Sequence, residues 1–385
     1  MKKQVDIAIA GGGLAGLLAA CRLARTDRSI CIVAPPRNVD RRTTALLGGS
    51  IDTLKAMEVW SGLASISQAL RSIRILDGSQ RLFRAPEVQF NASDIGLNAL
   101  GYNVPNEPLL AALEGLADAA GVVRVDARVS GIDVSHDSIS VACDDGNLIS
   151  AKLLVAADGQ RSPCREFAGI SIERTETGQS AIVCNFSHTA PHEDISTEFH
   201  TESGPFTMVP LSPGRSALVW VVANDESAGL LEKTSEQLSD AIYEQSHALL
   251  GDVRVEGDAQ AFRLASGSAE SLSSERLILI GEAAHVIPPI AAQGFNLTIR
   301  DIEAAASLVE TMGSDCGAEE LTVGYDKARR ADIELRVRLV TMLNRSLLTS
   351  FVPAQLARGV GMFALARFKP LRRLIMREGL NTLPI

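Results

Sequence analysis

The residues best suited to chemistry lie between Gly281 and Asn296, in a stretch that continues to Arg300 and Asp301. Glu282 follows the apolar run 277–280, which predicts a buried strand, and a carboxylate at a strand end can accept hydrogen bonds from the hydroxyls of a sugar or polyol chain. A helix is predicted to begin near Gln293 and Gly294, after a Pro-Pro turn at 288–289. Its N-terminal N–H groups suit an anionic group, and the glycine lets a planar ligand approach the backbone. The pattern predicts a cofactor site.

An alternative is an ordinary strand-turn-helix connection, in which His285 is a turn residue and the glycines only turn the chain. The N-terminal segment argues against it. A β-type run over 5–10 leads into the fingerprint G-x-G-x-x-G at Gly11, Gly13 and Gly16, and an apolar helix is predicted over 17–25. This strand-glycine-helix order is typical of dinucleotide binding. A secretory signal is the competing interpretation, but Asp6 and three consecutive glycines interrupt its apolar core.

One part of the fingerprint is missing. The second strand, predicted over 29–33, would normally end in an acidic residue that holds the adenosine ribose. Ala34 stands at that position, followed by two prolines and Arg37. The ribose must then be held by backbone, by water, or by a neighbour such as Arg37 or Asn38.

A third strand end carries polar residues. The apolar run 153–157 ends in Asp158 and Gly159, followed by a basic and hydroxylated loop. An Asp-Gly pair alone usually marks only a turn. However, ligands of open α/β sheets bind outside the carboxyl ends of the strands. We therefore expect the ends at 10–16, 156–159 and 280–282 to converge on one cofactor.

Together these motifs carry a resemblance. The chain is similar to FAD-dependent aromatic hydroxylases of the para-hydroxybenzoate hydroxylase fold, and within them to the ubiquinone-biosynthesis (polyprenylphenol) hydroxylases. Further matching segments are the arginine loop 40–46 leading to 59–60, the Gly-Tyr segment 100–104, the sheet segments 198–199, 204–206, 210–211 and 219–220, and the late loop 289–297. Two departures are Glu282, where most relatives carry Asp, and Ala292, in place of a usual Gly.

The resemblance implies an α/β fold: a Rossmann-like FAD-binding domain with an inserted antiparallel substrate sheet and a C-terminal helical tail. It implies FAD as the cofactor. The sequence leaves the reductant open, because it contains no second G-x-G-x-x-G motif: either NAD(P)H binds transiently or the electrons come from another source. The cofactor-binding residues that it implies are Gly11, Gly13, Leu14, Ala15, Gly16, Arg42, Asp158, Gly159, Gly281, Glu282, Gln293, Gly294, Phe295 and Asn296.

The implied reaction is hydroxylation of the aromatic ring of a polyprenylated phenol by O2, through a C4a-hydroperoxyflavin. Alternatives are epoxidation or prenyl reduction on the same fold, or a non-catalytic flavoprotein scaffold. The sequence identifies no catalytic base, and His285 is expected to support the loop structurally. The substrate ring is expected between the late loop and the sheet. The pocket residues predicted on this basis are Phe206, Met208, Pro210, Trp220 and Pro289, the first four individually more typical of core.

The pattern of elements predicts a discontinuous layout. Residues 1–72, 98–177 and 265–340 are assigned to the FAD-binding domain. Residues 73–97 and 178–264 are assigned to the substrate domain, with strands over 180–187, 197–200, 205–211 and 217–223 and a helix over 235–250. Residues 341–385 form the helical tail.

Composition is that of a globular enzyme. The 385 residues fit two domains and a tail, and the net charge of −9 makes nucleic-acid binding unexpected. No uncharged apolar run reaches the roughly 18 residues that span a bilayer. The six cysteines show no metal-binding spacing, so we predict no metal and expect buried, reduced thiols of a cytoplasmic protein.

The tail has its own signal. Residues 351–377 contain six Arg or Lys and no Asp or Glu, interspersed with large apolar residues. A basic amphipathic helix is typical of docking to a membrane surface or to a partner. With a polyprenyl substrate, the expected partner is the inner membrane or a lipid-carrying protein of a soluble biosynthetic complex. The alternative is a terminal helix packed on the acidic body of its own protein.

Overall fold

The computed structural model describes residues 2–79, 84–290, 292–349 and 352–379. At its centre is a six-stranded sheet, parallel except for one edge strand. The inner strands are buried along their whole length, as expected for a parallel sheet covered on both faces. In spatial order, with labels numbered along the chain, its strands are β19 (Ser273–Ser274), β20 (Leu277–Leu279), β13 (Leu153–Ala156), β2 (Ile7–Ala10), β3 (Ile30–Val33) and β9 (Val123–Val125).

Helices pack on this sheet and bury one large apolar core. They are α1 (Leu14–Ala24), α4 (Asn106–Ala119), α8 (Gln293–Thr311) and α9 (Glu319–Leu348). A four-stranded sheet flanks them, consisting of β1 (Lys2–Gln4), β12 (Leu148–Ala151), β11 (Ile139–Cys143) and β10 (Val129–Val134). The Rossmann-like arrangement predicted from the glycine fingerprint is confirmed.

A second large sheet has eight strands. They are β21 (His285–Val286), β18 (Val253–Ala269), β14 (Ile172–His188), β17 (Arg215–Ala223), β16 (Pro205–Pro210), β15 (Ile195–His200), β6 (Ser72–Asp77) and β7 (Val88–Asn91). The sheet is antiparallel as predicted, except that β15 runs parallel to β6, because β6 enters the sheet from the nucleotide-binding part. Helices α6 (Asn224–Leu231) and α7 (Ser235–Gln245) accompany it.

The two large sheets share continuous backbone. Strands β14 and β18 begin or end beyond the boundaries predicted at 178 and 264. They pair with each other along most of their length. Strands β14 and β18 therefore run through both predicted domains. The domain boundaries at 178 and 264 stay a proposal.

The remaining elements connect these layers. A three-stranded sheet is formed by β4 (Thr43–Leu47), β8 (Gly101–Pro105) and β5 (Gln68–Leu70). Short helices are α2 (Gly48–Ala56), α3 (Trp60–Leu63), α5 (Pro163–Phe167) and the 3-10 turns Ala64–Ile66, Ala92–Ile95 and Gly281–Ala283. The predicted helical tail is confirmed as α10 (Val352–Arg367) and α11 (Lys369–Gly379). The side chain of Arg358 lies outside the described residues.

Two sequence expectations about the whole chain can be compared with this fold. Within the described ranges, no helix has the length and apolar character needed to cross a bilayer. All six cysteines are buried and unpaired, as predicted. Burial raises the pKa of the Cys21 and Cys184 thiols to about 12, so these groups stay protonated near neutral pH.

Candidate functional site

The three predicted strand ends lie side by side. Ala10 is opposite Ala156 in the sheet, and Ala156 is opposite Leu279. Beyond them, the N–H of Ala157 donates to the carbonyl of Ala10 at 2.8 Å, and the N–H of Ile280 donates to that of Ala156 at 3.0 Å. The polar residues after each strand therefore emerge at one edge of the sheet, as the sequence predicted.

Two fingerprint glycines are required by close packing. Gly11 has φ +116°, and a Cβ there would lie 2.3 Å from the carbonyl oxygen of Ala157. A Cβ on Gly16 would lie 1.9 Å from the carbonyl oxygen of Gly11. Neither position tolerates a side chain, so the first turn of α1 is held against β13.

Other glycines line open space. In the described part of the chain, nothing lies within 4 Å of where a Cβ would stand on Gly13, Gly159 or Gly294. Each belongs to a different motif. Among the described residues, no side chain caps the N-terminus of α1 or of α8. Leu14 and Ala15 form the first turn of α1. Two helix N-termini without a side-chain cap thus lie next to glycines whose Cβ positions are open.

Asp158 adds a second indication of a missing ligand. Its Oδ2 accepts the N–H of Cys164 at 3.0 Å. Its Oδ1 is buried and has no hydrogen-bond partner among the described residues. Because a buried carboxylate oxygen without a donor is costly, this atom fits a hydroxyl of a bound dinucleotide. The open glycines, the uncapped helices and this oxygen together fit FAD.

Glu282 and Arg42 lie close enough for their charges to interact. Glu282 is exposed on the turn after β20, and its Oε1 accepts from Gln160 Nε2 at 3.2 Å. Arg42 forms a bidentate pair with Asp40, with both distances 2.8 Å. That hydrogen bonding raises the pKa of Arg42, and the Glu282 carboxylate adds to the shift. The guanidinium also lies 5.2 Å from the centroid of the Phe262 ring.

The loop before α8 is held by Asn296. Its Oδ1 accepts from Leu47 N at 2.9 Å and from Ser50 Oγ at 2.6 Å, and its Nδ2 donates to Ala45 O and Ala292 O. The side chain of Asn296, which was predicted to bind the cofactor, therefore positions the loop. Phe295 packs on the main core. The Oε1 of Gln293 accepts from Arg336 Nη1 at 2.7 Å. Ala292 adopts a left-handed conformation, φ 52° and ψ 35°.

Buried charges behind the turn were not foreseen as site residues. The Oδ2 of Asp301 accepts the N–H of Gly281 at 3.1 Å, and its Oδ1 accepts from Arg329 Nε at 2.9 Å. Arg165, also buried, donates to the carbonyls of Ala283 and Gln160 at 2.9 and 3.1 Å. Sequence periodicity gives no sign of these pairings, because the partners are far apart along the chain.

Three of the five predicted pocket residues lie together, in the apolar core between the eight-stranded sheet and α7. Phe206, Met208 and Trp220 belong to an apolar cluster that includes Leu238 and Ile242 of α7. Phe206 and Trp220 pack edge to face at 5.2 Å. Side chains alternate across a strand, so these three lie on the face of the sheet that α7 covers, on the side opposite Asn185, whose Nδ2 donates to Arg41 O.

The other two predicted pocket residues lie elsewhere. Pro210 is buried at the end of β16, where its carbonyl accepts from Asn103 Nδ2 at 2.9 Å. Pro289 is exposed on the late loop. Contact of any of the five with substrate stays a prediction.

Ala34 stands where an acidic residue would normally hold the adenosine ribose, and most of its neighbours are already engaged elsewhere. Ala34 is buried, and its N–H donates to Val125 O at 3.1 Å. Arg37 is paired with Glu107 at 2.7 Å and with Glu114 at 3.2 Å. Asn38 is exposed and stays a candidate for the ribose.

Comparisons with known proteins agree with this geometry. The sequence family described as "FAD binding domain" matches residues 4–339. Ubiquinone hydroxylase UbiL of Rhodospirillum rubrum is 33% identical, over 100% of this chain and 91% of that protein. The 3-demethoxyubiquinol 3-hydroxylase of Escherichia coli is 27% identical, over 98% of this chain and 99% of that protein.

Solved structures show the same fold. Pseudomonas aeruginosa PqsL in complex with 2-aminobenzoylacetate superimposes with a TM-score of 0.78 at 22% identity, covering 94% of this chain and 100% of that chain. The p-nitrophenol 4-monooxygenase PnpA of Pseudomonas putida gives 0.77 at 17% identity, with 100% of both chains covered.

Proposed function

Since the chain belongs to the FAD-binding domain family, we propose that it is an FAD-dependent monooxygenase that hydroxylates the aromatic ring of a polyprenylated phenol in ubiquinone biosynthesis. The observation that carries the proposal is the likeness to ubiquinone hydroxylase UbiL along the whole chain. The proposal is also supported by the edge of the six-stranded sheet where the three motifs meet. There the Cβ positions of three glycines are open, and Asp158 Oδ1 has no hydrogen-bond partner among the described residues.

The residues of the chain bind and orient the cofactor. The uncapped N-terminus of α1 and Gly13 would receive the pyrophosphate, and Glu282 would accept hydrogen bonds from ribityl hydroxyls. The N-terminus of α8 would receive a polar edge of the flavin ring. When bound, FAD supplies the activation of O2 for transfer of one oxygen atom to the ring. The protein positions the phenol and excludes water.

The substrate ring belongs on the face of the eight-stranded sheet that α7 does not cover. Val183, Val219 and Thr207 lie opposite each other in neighbouring strands and share this face with Asn185. All are only partly buried. The loop carrying Arg41 and Arg42 crosses the same face, through Asn185 and Phe262. We propose these residues as a wall of the pocket in addition to the positions predicted from the sequence, whose contact with substrate is untested.

The tail is proposed to dock the enzyme to the anionic membrane surface that holds its substrate. Helix α11 is anchored on its inner side, where Met376 packs near Leu47 and Leu100. Its outer side exposes Leu371, Leu374 and Ile375, next to exposed Phe363 and Phe368. Exposed Arg367, Lys369 and Arg373 surround them. Apolar side chains ringed by cations are typical of interfacial helices.

One buried tail residue has a different role. Arg372 donates through Nη1 to the carbonyl of Leu365 at 3.1 Å, and through Nη2 to Asp94 Oδ2 at 3.4 Å. Its charge therefore joins the tail to the body and is not offered to a membrane. The inner side of α11 thus supports packing of the tail on the body of the protein, and its outer side supports docking to a membrane.

Profiling quinone intermediates in a deletion strain tests the proposal. Loss of a ring hydroxylase should cause a prenylated precursor that lacks one ring hydroxyl to accumulate. With purified protein and NAD(P)H as the electron donor, a soluble phenol should stimulate oxygen uptake and gain the mass of one oxygen atom, while the second oxygen atom leaves as water. With a prenylated phenol, a product that gains two hydrogens would indicate prenyl reduction. Oxygen uptake that no phenol stimulates, together with an unchanged quinone profile, would indicate a scaffold.

A further inference from the structure

A second cavity lies beside the cofactor edge, between α2, α8, α9 and the end of α11. Its volume is about 570 Å³. Three arginines line it: Arg300 of α8, and Arg329 and Arg336 of α9. Their spacing along the helices, seven residues between Arg329 and Arg336, places them on one side of α9. Arg300 ends the stretch that the sequence singles out for the cofactor, whereas Arg329 and Arg336 belong to no such motif.

The three guanidinium groups share few carboxylates. Asp332 accepts from Arg329 at 2.9 Å, from Arg336 at 2.8 Å and from Arg300 at 3.3 Å. Burial opposes ionisation of Asp332, but the hydrogen bonds and charges of Arg329 and Arg336 lower its pKa to about 2. Asp301 is the only other carboxylate among the ion pairs described for the three arginines. Three positive charges thus meet two negative ones.

The cavity is also lined by two acidic residues away from these ion pairs. Glu303 pairs with Arg22 at 3.1 Å, and Arg22 is shared with Glu310 at 2.8 Å. Glu378 is exposed at the rim, at the end of α11. The excess of positive charge is therefore local, at the three guanidinium groups that share Asp332 and Asp301.

Arg329 has one guanidinium nitrogen without an acceptor. Its side chain is only 7% exposed, and its Nη2 is buried with no hydrogen-bond partner among the described residues. A buried guanidinium N–H without an acceptor costs stability, and Arg329 lines the cavity. Burial lowers the pKa of the neighbouring Arg300, and the positive charge of Arg336 lowers it further. An anion bound among these groups would offset the repulsion between them.

We propose that this cavity binds a phosphate group, held by Arg300, Arg329 and Arg336 separately from the FAD site. Arginine forks match the oxygens of phosphate in paired hydrogen bonds. A phosphate has enough acceptor oxygens to serve three guanidinium groups at once. The group can belong to a free phosphate compound or to a lipid headgroup, since the tail helix α11 forms one rim.

The site touches the cofactor edge through one hydrogen bond. Arg336 Nη1 donates to Gln293 at the first turn of α8. Phosphate bound by Arg336 is therefore expected to change the flavin absorbance spectrum slightly. This readout does not depend on turnover, and it is independent of which ring the enzyme hydroxylates.

The test uses full-length protein saturated with FAD, so that the dinucleotide site is filled. Inorganic phosphate is titrated by calorimetry at constant ionic strength, with sodium chloride as the reference salt. Arg300→Gln should weaken phosphate binding at least about tenfold, since it removes a charged donor. The matched control is Arg338→Gln on α9, whose side chain is 75% exposed and pairs only with Glu334 among the ion pairs described for it. It should leave the affinity unchanged.

A second variant and a second probe make the test decisive. Arg300→Lys keeps the charge and should retain part of the affinity, and it serves in place of Arg300→Gln if that variant does not fold. Co-sedimentation with phosphatidylglycerol vesicles is measured next, with phosphatidylcholine vesicles as the reference. If the Arg300 variants weaken binding to phosphatidylglycerol vesicles but not to inorganic phosphate, the bound phosphate is that of a lipid headgroup. If neither probe distinguishes the Arg300 variants from Arg338→Gln, the cavity is not a phosphate site.

Discussion

His285 Nε2 lies 2.7 Å from Asp301 Oδ2, and both side chains are buried, with exposures of 2% and 0%. The same Asp301 oxygen accepts the N–H of Gly281, and its second oxygen accepts from Arg329. One carboxylate thus ties the turn that carries Glu282 to two helices. This pairing supports a structural role for His285, since its ring is occupied behind the turn and does not face the open glycines.

The first prediction concerns this carboxylate. Asp301→Ala should lower the free energy of unfolding by about 3–5 kcal/mol, because it leaves the Arg329 charge buried with one acceptor fewer. Urea denaturation followed by circular dichroism measures the loss. His285→Gln should cost less, about 1–3 kcal/mol.

The same pair of variants tests whether His285 is the base. If its role is structural, His285→Gln keeps the shape of the pH–rate profile with a soluble phenol. Loss of one limb of that profile, at unchanged flavin content, would instead assign proton transfer to His285.

Much of the fold follows from local patterns in the sequence. The strands β2, β3, β13 and β20 are short apolar runs. Helix α1 follows a glycine-rich turn, and α8 follows a Pro-Pro turn, so period and turn chemistry locate these elements. The carboxyl ends of parallel strands lie at the same edge of a sheet, so the ends at Ala10, Ala156 and Leu279 are expected to be neighbours.

Local sequence patterns do not determine which face of the eight-stranded sheet each apolar side chain occupies. Phe206 and Trp220 are apolar residues in strands, and such a residue can face either a helix or a ligand. Only the packing of α7 decides between these faces. Long-range charge pairs, such as Asp301 with Arg329 or Arg372 with Asp94, have no local signal either.

The second prediction concerns the open glycine of the fingerprint. Gly13→Val should abolish FAD binding, because the new side chain fills the space through which the pyrophosphate reaches the helix. Flavin absorbance of the purified protein measures this. Gly115→Val in α4 is the matched control, since a side chain there also meets open space. Full flavin occupancy in Gly13→Val would contradict the assignment.

The third prediction concerns Glu282. If it holds the ribityl chain, Glu282→Ala leaves donors unpaired at a cost of about 1–3 kcal/mol, which weakens FAD binding about 5- to 150-fold. Glu282→Asp should be nearly neutral, since the carboxylate is kept. Fluorescence titration of the apoprotein with FAD gives both affinities. An unchanged affinity in the alanine variant would mean that Glu282 only holds Gln160.

The fourth prediction concerns the left-handed residue before α8. Ala292 pays roughly 1–2 kcal/mol for its positive φ, whereas glycine costs about 0.5–1 kcal/mol through the unfolded chain. Ala292→Gly should therefore be neutral or stabilise by up to about 1 kcal/mol. Ala111→Gly, at an exposed position within α4, should destabilise by about 1 kcal/mol. Equal losses in both variants of a thermal unfolding series would show that the loop carries no such strain.

The last prediction concerns the tail. If its outer side docks to a membrane, the triple variant Arg367→Gln, Lys369→Gln and Arg373→Gln should release the protein from anionic vesicles. Basic residues at an interface contribute about 1 kcal/mol each, so three amount to about 150-fold in affinity. Arg372 is left unchanged because it is a buried anchor. Co-sedimentation with phosphatidylglycerol vesicles measures the release.

Controls separate docking from folding. The triple variant Arg128→Gln, Lys233→Gln and Arg254→Gln removes the same charge from exposed positions elsewhere, and it should still sediment with the vesicles. Flavin content should be unchanged in both triple variants, because the tail lies outside the three cofactor motifs. Activity on a short soluble phenol should survive, while activity on a polyprenyl phenol in vesicles should fall only in the tail variant. If the tail variant instead loses FAD or unfolds, its cations act on the body of the protein, as Arg372 does, and the membrane proposal fails.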